Sequence, residues 1–557
     1  MRKYTIVAIA VVLSVVLITQ TFSTKKEQKE NPITQEMIAT AERLLGLSFT
    51  VSERDTMQKS LKEFRKNYKE IRDKDIPNSL APSLQFNPLP QGFEVPKQEG
   101  KPTWQLPEKV TLPDDPAQIA FMPVYKLAHL IKTQKITSEE LTKIYLKRLK
   151  KYGDTLKSVV TLTGELALKQ ARRADREIAS GNYRGPLHGI PYGVKDLLAV
   201  EGYKTTWGAM PYKDQTIDKT ATVVKKLEDA GAVLLGKLSM GALAMGDVWY
   251  EGVTKNPWDL EQGSSGSSAG SASCTAAGLV GFSIGTETYG SIVSPSTRCG
   301  VTGLRPTFGR VSRADAMALS WSMDKIGPIC RSAKDAAMVL DVIRGKDAGD
   351  PTTRDAAFSP DFKKDAKDLK VAYLKDFFKS DYRARKNDSL ALQKIRELGI
   401  EPEAVEFPSD LPVQSMLIIL DAEAGAAFDK LTHSNRDSLL VAQHRNAWPN
   451  IFRASRFVPA VEYIQANRLR TKLINQIHRF MKNYDVVITP SFGGNQLLTT
   501  NLTGHPCVVI PNGFDEKGHP TSISFLGNLF EEEKLVEFAH YVQENTDWED
   551  KHPEYFK

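Results

Sequence analysis

Helical patterns alternate with short apolar runs along most of this chain, and that alternation restricts the fold more than any other feature. Thr137-Ser138-Glu139-Glu140 is a capping box. Leu141, Ile144, Tyr145 and Leu149 follow on one helical face, with Gly153 as the expected stop. A second helix is expected from about Gly164 to Ser180, ended by Gly181. Ile190, Tyr192 and Val194 then mark a short buried strand running into Lys195. Val223 to Ala230 is helical, Gly231 stops it, and Ala232-Val233-Leu234-Leu235 is a strand. Much later, Asp485 to Pro490 and Cys507 to Pro511 are apolar runs stopped by proline. The pattern predicts an α/β fold with a central mixed β-sheet. If the late strands join the early ones, residues 108–550 form a single large domain.

Composition narrows the function classes. The chain has 557 residues, of which 41% are hydrophobic and 25% charged, so its bulk is neither disordered nor collagen-like. A net charge of +7 over this length is mild. It gives no nucleic-acid footprint, which needs a concentrated basic patch. Cys274, Cys299, Cys330 and Cys507 are far apart with no C-x-x-C. That excludes a disulfide scaffold and argues against a structural zinc site.

The N-terminus carries an address. Arg2 and Lys3 precede an apolar run from Ile6 to Ile18, and Thr21-Phe22-Ser23 offers a small-x-small cleavage site before Lys25-Lys26. Residues 1–23 are therefore expected to be a signal peptide or an N-terminal anchor. The main domain would be exported, periplasmic or secreted, or anchored outside the cytoplasm. No Cys follows the run, so a lipoprotein signal is absent. Residues 24–107 are expected to be a charged helical extension and a Pro-rich linker. Within it, residues 34 to 75 are helical in pattern, with a second stretch starting at Val51 and ending near Arg72. Pro77 to Pro107 reads as extended chain.

Residues 263 to 292 carry the chemistry. Gly263-Ser264-Ser265-Gly266-Ser267-Ser268-Ala269-Gly270-Ser271 leads into an apolar run, then Gly285-Thr286-Glu287-Thr288-Tyr289-Gly290-Ser291-Ile292. Small residues let the backbone approach a ligand, and hydroxyls beside such backbone serve as nucleophiles when a base assists them. The packed, apolar flanks argue against a flexible linker. No Lys follows the glycines, so the phosphate-loop pattern is missing. Gly266-Ser267-Ser268-Ala269-Gly270 also fits the G-x-S-x-G nucleophile elbow, with Ser268 as nucleophile, although the preceding Asp259 to Ser265 is a poor strand. Lys195 closes the segment Gly185 to Asp196. A buried lysine there would act as a neutral base, while a lysine paired with Asp196 would be structural. His188 and Tyr192 are read as structural.

Together these segments resemble the amidase signature family from about residue 115 to 545. Asn256-Pro257-Trp258-Asp259, Gly300 to Thr307 and Asn501 to Pro506 look like family sequence as well. The resemblance implies the family's fold, a central mixed sheet covered by helices on both faces, here preceded by a helical N-terminal extension. It implies a Ser-Ser-Lys triad: Ser291 as the acylated nucleophile, Ser267 as the bridging serine with a cis peptide bond, and Lys195 as the general base. Backbone N–H groups around Thr288, Tyr289, Gly290 and Ser291 would hold the oxyanion. The expected substrate is a small-molecule or peptide amide. No metal, cofactor or nucleic acid is implied; tethering to a membrane through the N-terminus and a homodimer are compatible with it. Some positions depart from the common family pattern: Ser265 and Ala269 replace glycines, Glu287 replaces Asp, Tyr289 replaces Gly, and Val293 replaces Arg. The Thr-Glu-Thr-x-Gly-Ser-Ile-Val form looks like the branch that contains peptide amidases.

Three alternatives stay open. The glutaminase subunit of a tRNA-dependent amidotransferase shares the fold and triad, but works in the cytoplasm beside partner chains. A catalytically silent binding module would use the same pocket. An esterase of the α/β-hydrolase type would use Ser268.

Overall fold

The short apolar runs become strands of one sheet because each is too short and too β-branched to stand as a helix, and each is cut by Gly or Pro. The computed structural model describes residues 32–98, 102–408 and 410–557. The expected leader over residues 1–23 lies outside the described residues. Among the described residues, no helix is long and apolar enough to cross a membrane. The chain divides into one compact unit ending at Ile76 and another from Pro77 to Lys557.

In the first unit, α1 (Gln35–Leu44) and α2 (Val51–Arg72) form a helical pair joined by an Arg54–Glu42 ion pair. Thr50 and Glu53 form a capping box at the start of α2, which has no buried residue.

The second unit is built on eleven strands: β1 (Val159–Leu162), β2 (Pro191–Lys195), β3 (Val233–Leu238), β6 (Phe282–Glu287), β7 (Thr302–Arg305), β8 (Lys325–Cys330), β9 (Val371–Leu374), β10 (Glu403–Val405), β11 (Val486–Pro490), β12 (Cys507–Phe514) and β13 (Pro520–Leu526). A separate two-stranded hairpin supplies β4 (Lys255–Asn256) and β5 (Asp259–Gly263). The sheet order is β1-β3-β2-β6-β8-β7-β12-β13-β11-β9-β10. It is parallel at β3-β2-β6 and at β11-β9-β10, and antiparallel elsewhere. Every residue of β2, β3, β6 and β8 is buried, so helices cover both faces there. The late strands β12 and β13 enter the same sheet beside β7 and close one domain.

Among the helices, α3 (Ser138–Leu156) starts at the expected capping box, with Thr137 and Glu140 each bonding the other's backbone N–H. It does not stop at Gly153. That glycine sits inside the helix, where a Cβ would lie 3.1 Å from Val159 Cγ2, and the helix ends at Lys157 in the left-handed region. The following helices α4 (Gly164–Ala179) and α5 (Thr222–Asp229) match their patterns within a residue or two. Three further helices frame the site: α6 (Ala269–Ala276), α7 (Val293–Cys299) and α8 (Gln496–Thr503).

The Pro-rich stretch from residue 77, expected as a linker, has no helix or strand among its described residues but belongs to the larger unit. Several of its apolar residues find partners there. Leu89, Phe93 and Val95 pack against Ala356, Leu529 and Phe530, and Trp104 Nε1 donates to Asp341 Oδ2 at 3.0 Å.

Candidate active site

Lys195 ends β2 and is wholly buried. Its Nζ lies 2.7 Å from Ser267 Oγ, 2.9 Å from Thr286 Oγ1, 3.2 Å from Ser268 Oγ and 3.3 Å from Thr286 O. Among the described residues it forms no ion pair. Burial lowers its pKa to about 7, against the more distant negative charges of Asp324 and Glu287, which act to raise it. The pairing with Asp196 left open by the sequence does not occur. Asp196 instead pairs with the buried Lys237 at 2.9 Å and accepts from Thr206.

Ser267 lies in the loop between β5 and α6, and the Gly266–Ser267 peptide is cis. Gly266 is required by close approach, since a Cβ there would meet Gly246 O at 1.8 Å. Ser268 next to it is fully buried, and its hydroxyl both accepts from Thr286 N at 3.1 Å and donates to Thr286 O at 3.0 Å. This overturns the elbow. No strand of the central sheet leads into Ser268, because β5 pairs only with β4, and the hydroxyl is occupied in holding the loop to β6.

Ser291 follows β6 in the turn that enters α7. It is 8% exposed, and its hydroxyl makes no hydrogen bond to any described residue. Ser268 N donates to Ser291 O at 3.2 Å, which ties the two serine segments together. Gly290 has φ +86°, the left-handed backbone that lets this turn reverse. The backbone N–H groups of Tyr289, Gly290 and Ser291 donate to no acceptor among the described residues. Thr288 sends its hydroxyl elsewhere, to Asp324 Oδ1 at 2.6 Å, so only its backbone faces the turn as an expected donor. Tyr289 is 39% exposed at the surface of the site.

Sequence reading noted Glu287 only as a departure from the family pattern. In the structure it braces the turn that carries Ser291. Its Oε2 accepts from Ile292 N at 2.9 Å and Val293 N at 3.0 Å, and its Oε1 accepts from Arg305 Nη1 at 2.7 Å and Asn501 Nδ2 at 2.8 Å. Burial would raise its pKa, but the Arg305 cation and these donors hold it at about 2, so it is an anion. The signal that could have exposed this role is the charge complement between Glu287 and Arg305, two buried ions in flanking motifs. His188 and Tyr192 are structural as expected. His188 sits between Arg184 N at 3.1 Å and Glu177 Oε2 at 3.2 Å, and Tyr192 stacks on Phe282. Among the described residues, no cluster of His, Cys, Asp and Glu is arranged to hold a metal ion.

Known proteins share this architecture. A sequence profile of the Amidase family matches residues 140–499. The glutamyl-tRNA(Gln) amidotransferase subunit of Acinetobacter baumannii (strain AB0057) that aligns here is 32% identical over 483 residues, covering 77% of this chain and 96% of the relative. Its namesake from Carboxydothermus hydrogenoformans is 32% identical over 487, covering 78% and 99%. Among solved structures, the native peptide amidase of Stenotrophomonas maltophilia superposes with a TM-score of 0.68 at 28% identity, over 76% of this chain and 97% of that one. An amidase family protein from Bacillus anthracis superposes at 0.69 with 26% identity, over 79% and 95%. The profile spans well over half of the chain and the relatives are matched almost end to end, so this protein belongs to the amidase signature family, enzymes that act on amide carbon–nitrogen bonds.

Proposed function

We propose that this protein is a serine amidohydrolase that cleaves a carboxylic amide through an acyl-enzyme on Ser291, with Ser267 as proton relay and Lys195 as base. The observation that carries the reading is a fully buried lysine with its Nζ 2.7 Å from Ser267 Oγ and no counter-ion among the described residues. A lysine of pKa about 7 is neutral for much of the time at physiological pH and can accept a proton. In the first half-reaction Lys195 takes the Ser267 proton as Ser267 takes that of Ser291, and Ser291 Oγ forms a bond to the amide carbon. The tetrahedral oxyanion would rest on the N–H groups of the 289–291 turn. Its collapse breaks the carbon–nitrogen bond, and the proton returns through Ser267 to the leaving amine. Water then attacks the ester, its proton passing by the same relay to Lys195, and Ser291 is regenerated as the acid leaves.

Ser291→Ala and Lys195→Met are each expected to lower kcat/KM for amide hydrolysis by roughly 10⁴-fold or more. Full activity in either variant would contradict the mechanism. The basic, apolar leader supports an enzyme exported or anchored outside the cytoplasm.

A second reading, the glutaminase subunit of a tRNA-dependent amidotransferase, is favoured by the 32% identity to a protein of such an enzyme. The leader argues against it. Glutamine-dependent ammonia release together with co-purification of partner chains would establish it; neutral amides cleaved by the chain alone would exclude it.

A further inference from the structure

Residues 77–98 precede the stretch matched by the family profile, yet they reach a cavity that borders the candidate site at Thr286 and Thr288. Asn78 clamps both backbone groups of Ala318. Its Nδ2 donates to Ala318 O at 2.8 Å, and its Oδ1 accepts from Ala318 N at 2.8 Å. Further along, Phe86 packs edge-on against Phe308 with ring centroids 4.9 Å apart, and the Arg470 guanidinium lies 3.5 Å from the Phe86 centroid. Pro88 and Pro90 are buried. These contacts hold the strap against the domain at both ends of the short run between them.

Held there, Ser79 and Ala81 form part of the rim of a cavity of about 240 Å³. The same cavity takes in Thr286, the hydroxyl partner of Lys195, and Thr288 on the nucleophile turn. Most of its remaining wall is apolar, from Leu197, Ala244, Met317, Leu319, Trp321 and Ile326. Its charges are compensated within the wall itself. Lys219 pairs with Asp315 at 3.3 Å and Arg313 with Asp350 at 3.0 Å. The Asp324 carboxylate accepts from Thr288 Oγ1 at 2.6 Å, Leu319 N at 2.8 Å and Ser320 N at 3.0 Å. Lys325 turns its amine back to Met323 O, and burial lowers its pKa well below the usual lysine range. A carboxylate entering this space would lose its water and find the wall cations Lys219 and Arg313 already paired, while an apolar group would gain by burial.

We propose that Asn78, Ser79 and Ala81 make the N-terminal strap a specificity wall of the substrate cavity, which accepts an uncharged, apolar group beside the scissile amide and disfavours a zwitterion such as free glutamine. The proposal rests on the amidohydrolase reading for the identity of the site. It also explains the strap's place in the larger unit: the strap supplies a rim that the matched family segment lacks.

The test separates binding from turnover. In the full chain carrying Ser291→Ala, calorimetry is expected to give phenylacetamide an affinity at least tenfold above that of glutamine. Adding Ser79→Trp, which fills the rim, is expected to weaken phenylacetamide at least tenfold. In the enzyme with Ser291 intact, Asn78→Ala is expected to raise KM for phenylacetamide severalfold with little change in kcat, because the wall loosens while the reacting groups stay in place. No binding of phenylacetamide, equal binding of glutamine, or indifference to Ser79→Trp would each overturn the proposal. Failure of the hydrolytic reading would show separately, as an unaltered chain that hydrolyses no amide, and the two binding results would still decide the strap's role.

Discussion

In the proposed mechanism Lys195 serves as a base only in its neutral form, so its pKa would set the pH dependence of the reaction. With burial holding that pKa near 7, kcat/KM is expected to rise tenfold per pH unit below about 7 and to level off above it. A lysine at its ordinary value near 10.4 would move the rise into strong alkali. A pH–rate profile on a neutral amide checks this, and a flat profile from about pH 5 to 9 would contradict it. Glu287 acts one step further out. Glu287→Ala would strip the acceptor from Ile292 and Val293 and leave Arg305 buried without its anion, a loss of about 3–5 kcal/mol. Chemical denaturation reads that loss, and kinetics should show kcat falling more than KM changes, as expected for a misplaced nucleophile turn. The three proposed catalytic residues came from the resemblance to the amidase signature family, which local motifs carry: a strand end, a Gly/Ser run, a Gly-Ser turn. The brace was not legible, because its partners lie 18 and 214 residues away in the chain, and no local pattern announces a contact of that range.

At the scale of elements, local rules held for the cap at Thr137 and for the stops at Gly181 and Gly231, and failed for the stop at Gly153. Thr137 Oγ1 accepts from Glu140 N at 3.1 Å, and Glu140 Oε2 from Thr137 N at 2.9 Å. Thr137→Ala is therefore expected to cost about 1 kcal/mol, read as a small drop in Tm with activity retained. No change in stability would mean that the cap contributes nothing at this helix start. Gly153 shows the opposite case. It reads as a stop, but here glycine is selected by the nearness of Val159, and the helix runs on until Lys157. The elbow motif around Ser268 fails for a similar reason. Five residues can satisfy a pattern, but an elbow also needs a strand of the main sheet behind it, and β5 belongs to a separate hairpin. The sequence already showed a poor strand there, so the decisive information was available in the flank rather than in the motif.

For the whole molecule, the sheet is what assembles the site. Strand β2 brings Lys195 and the end of β6 leads to Ser291, while the loop before α6 sets Ser267 Oγ 2.7 Å from Lys195 Nζ and is tied to the Ser291 turn through Ser268 N; these residues are far apart in sequence and come near because β2 and β6 are neighbours. The alternation of helices and apolar runs was enough to expect a mixed sheet. It could not give the strand order, since the late strands enter beside β7 through contacts formed only on closure. Nor could it show that the Pro-rich stretch is bound down, because proline and glycine signal extended chain in a linker and in a docked strap alike. The central claim is that this assembly activates Ser291 and no other serine. The most direct measurement is reaction of the purified full chain with a fluorophosphonate, followed by peptide mapping. The account predicts a single adduct on Ser291 that disappears in Lys195→Met; an adduct on Ser268, or none on Ser291 while neutral amides are still hydrolysed, would contradict it.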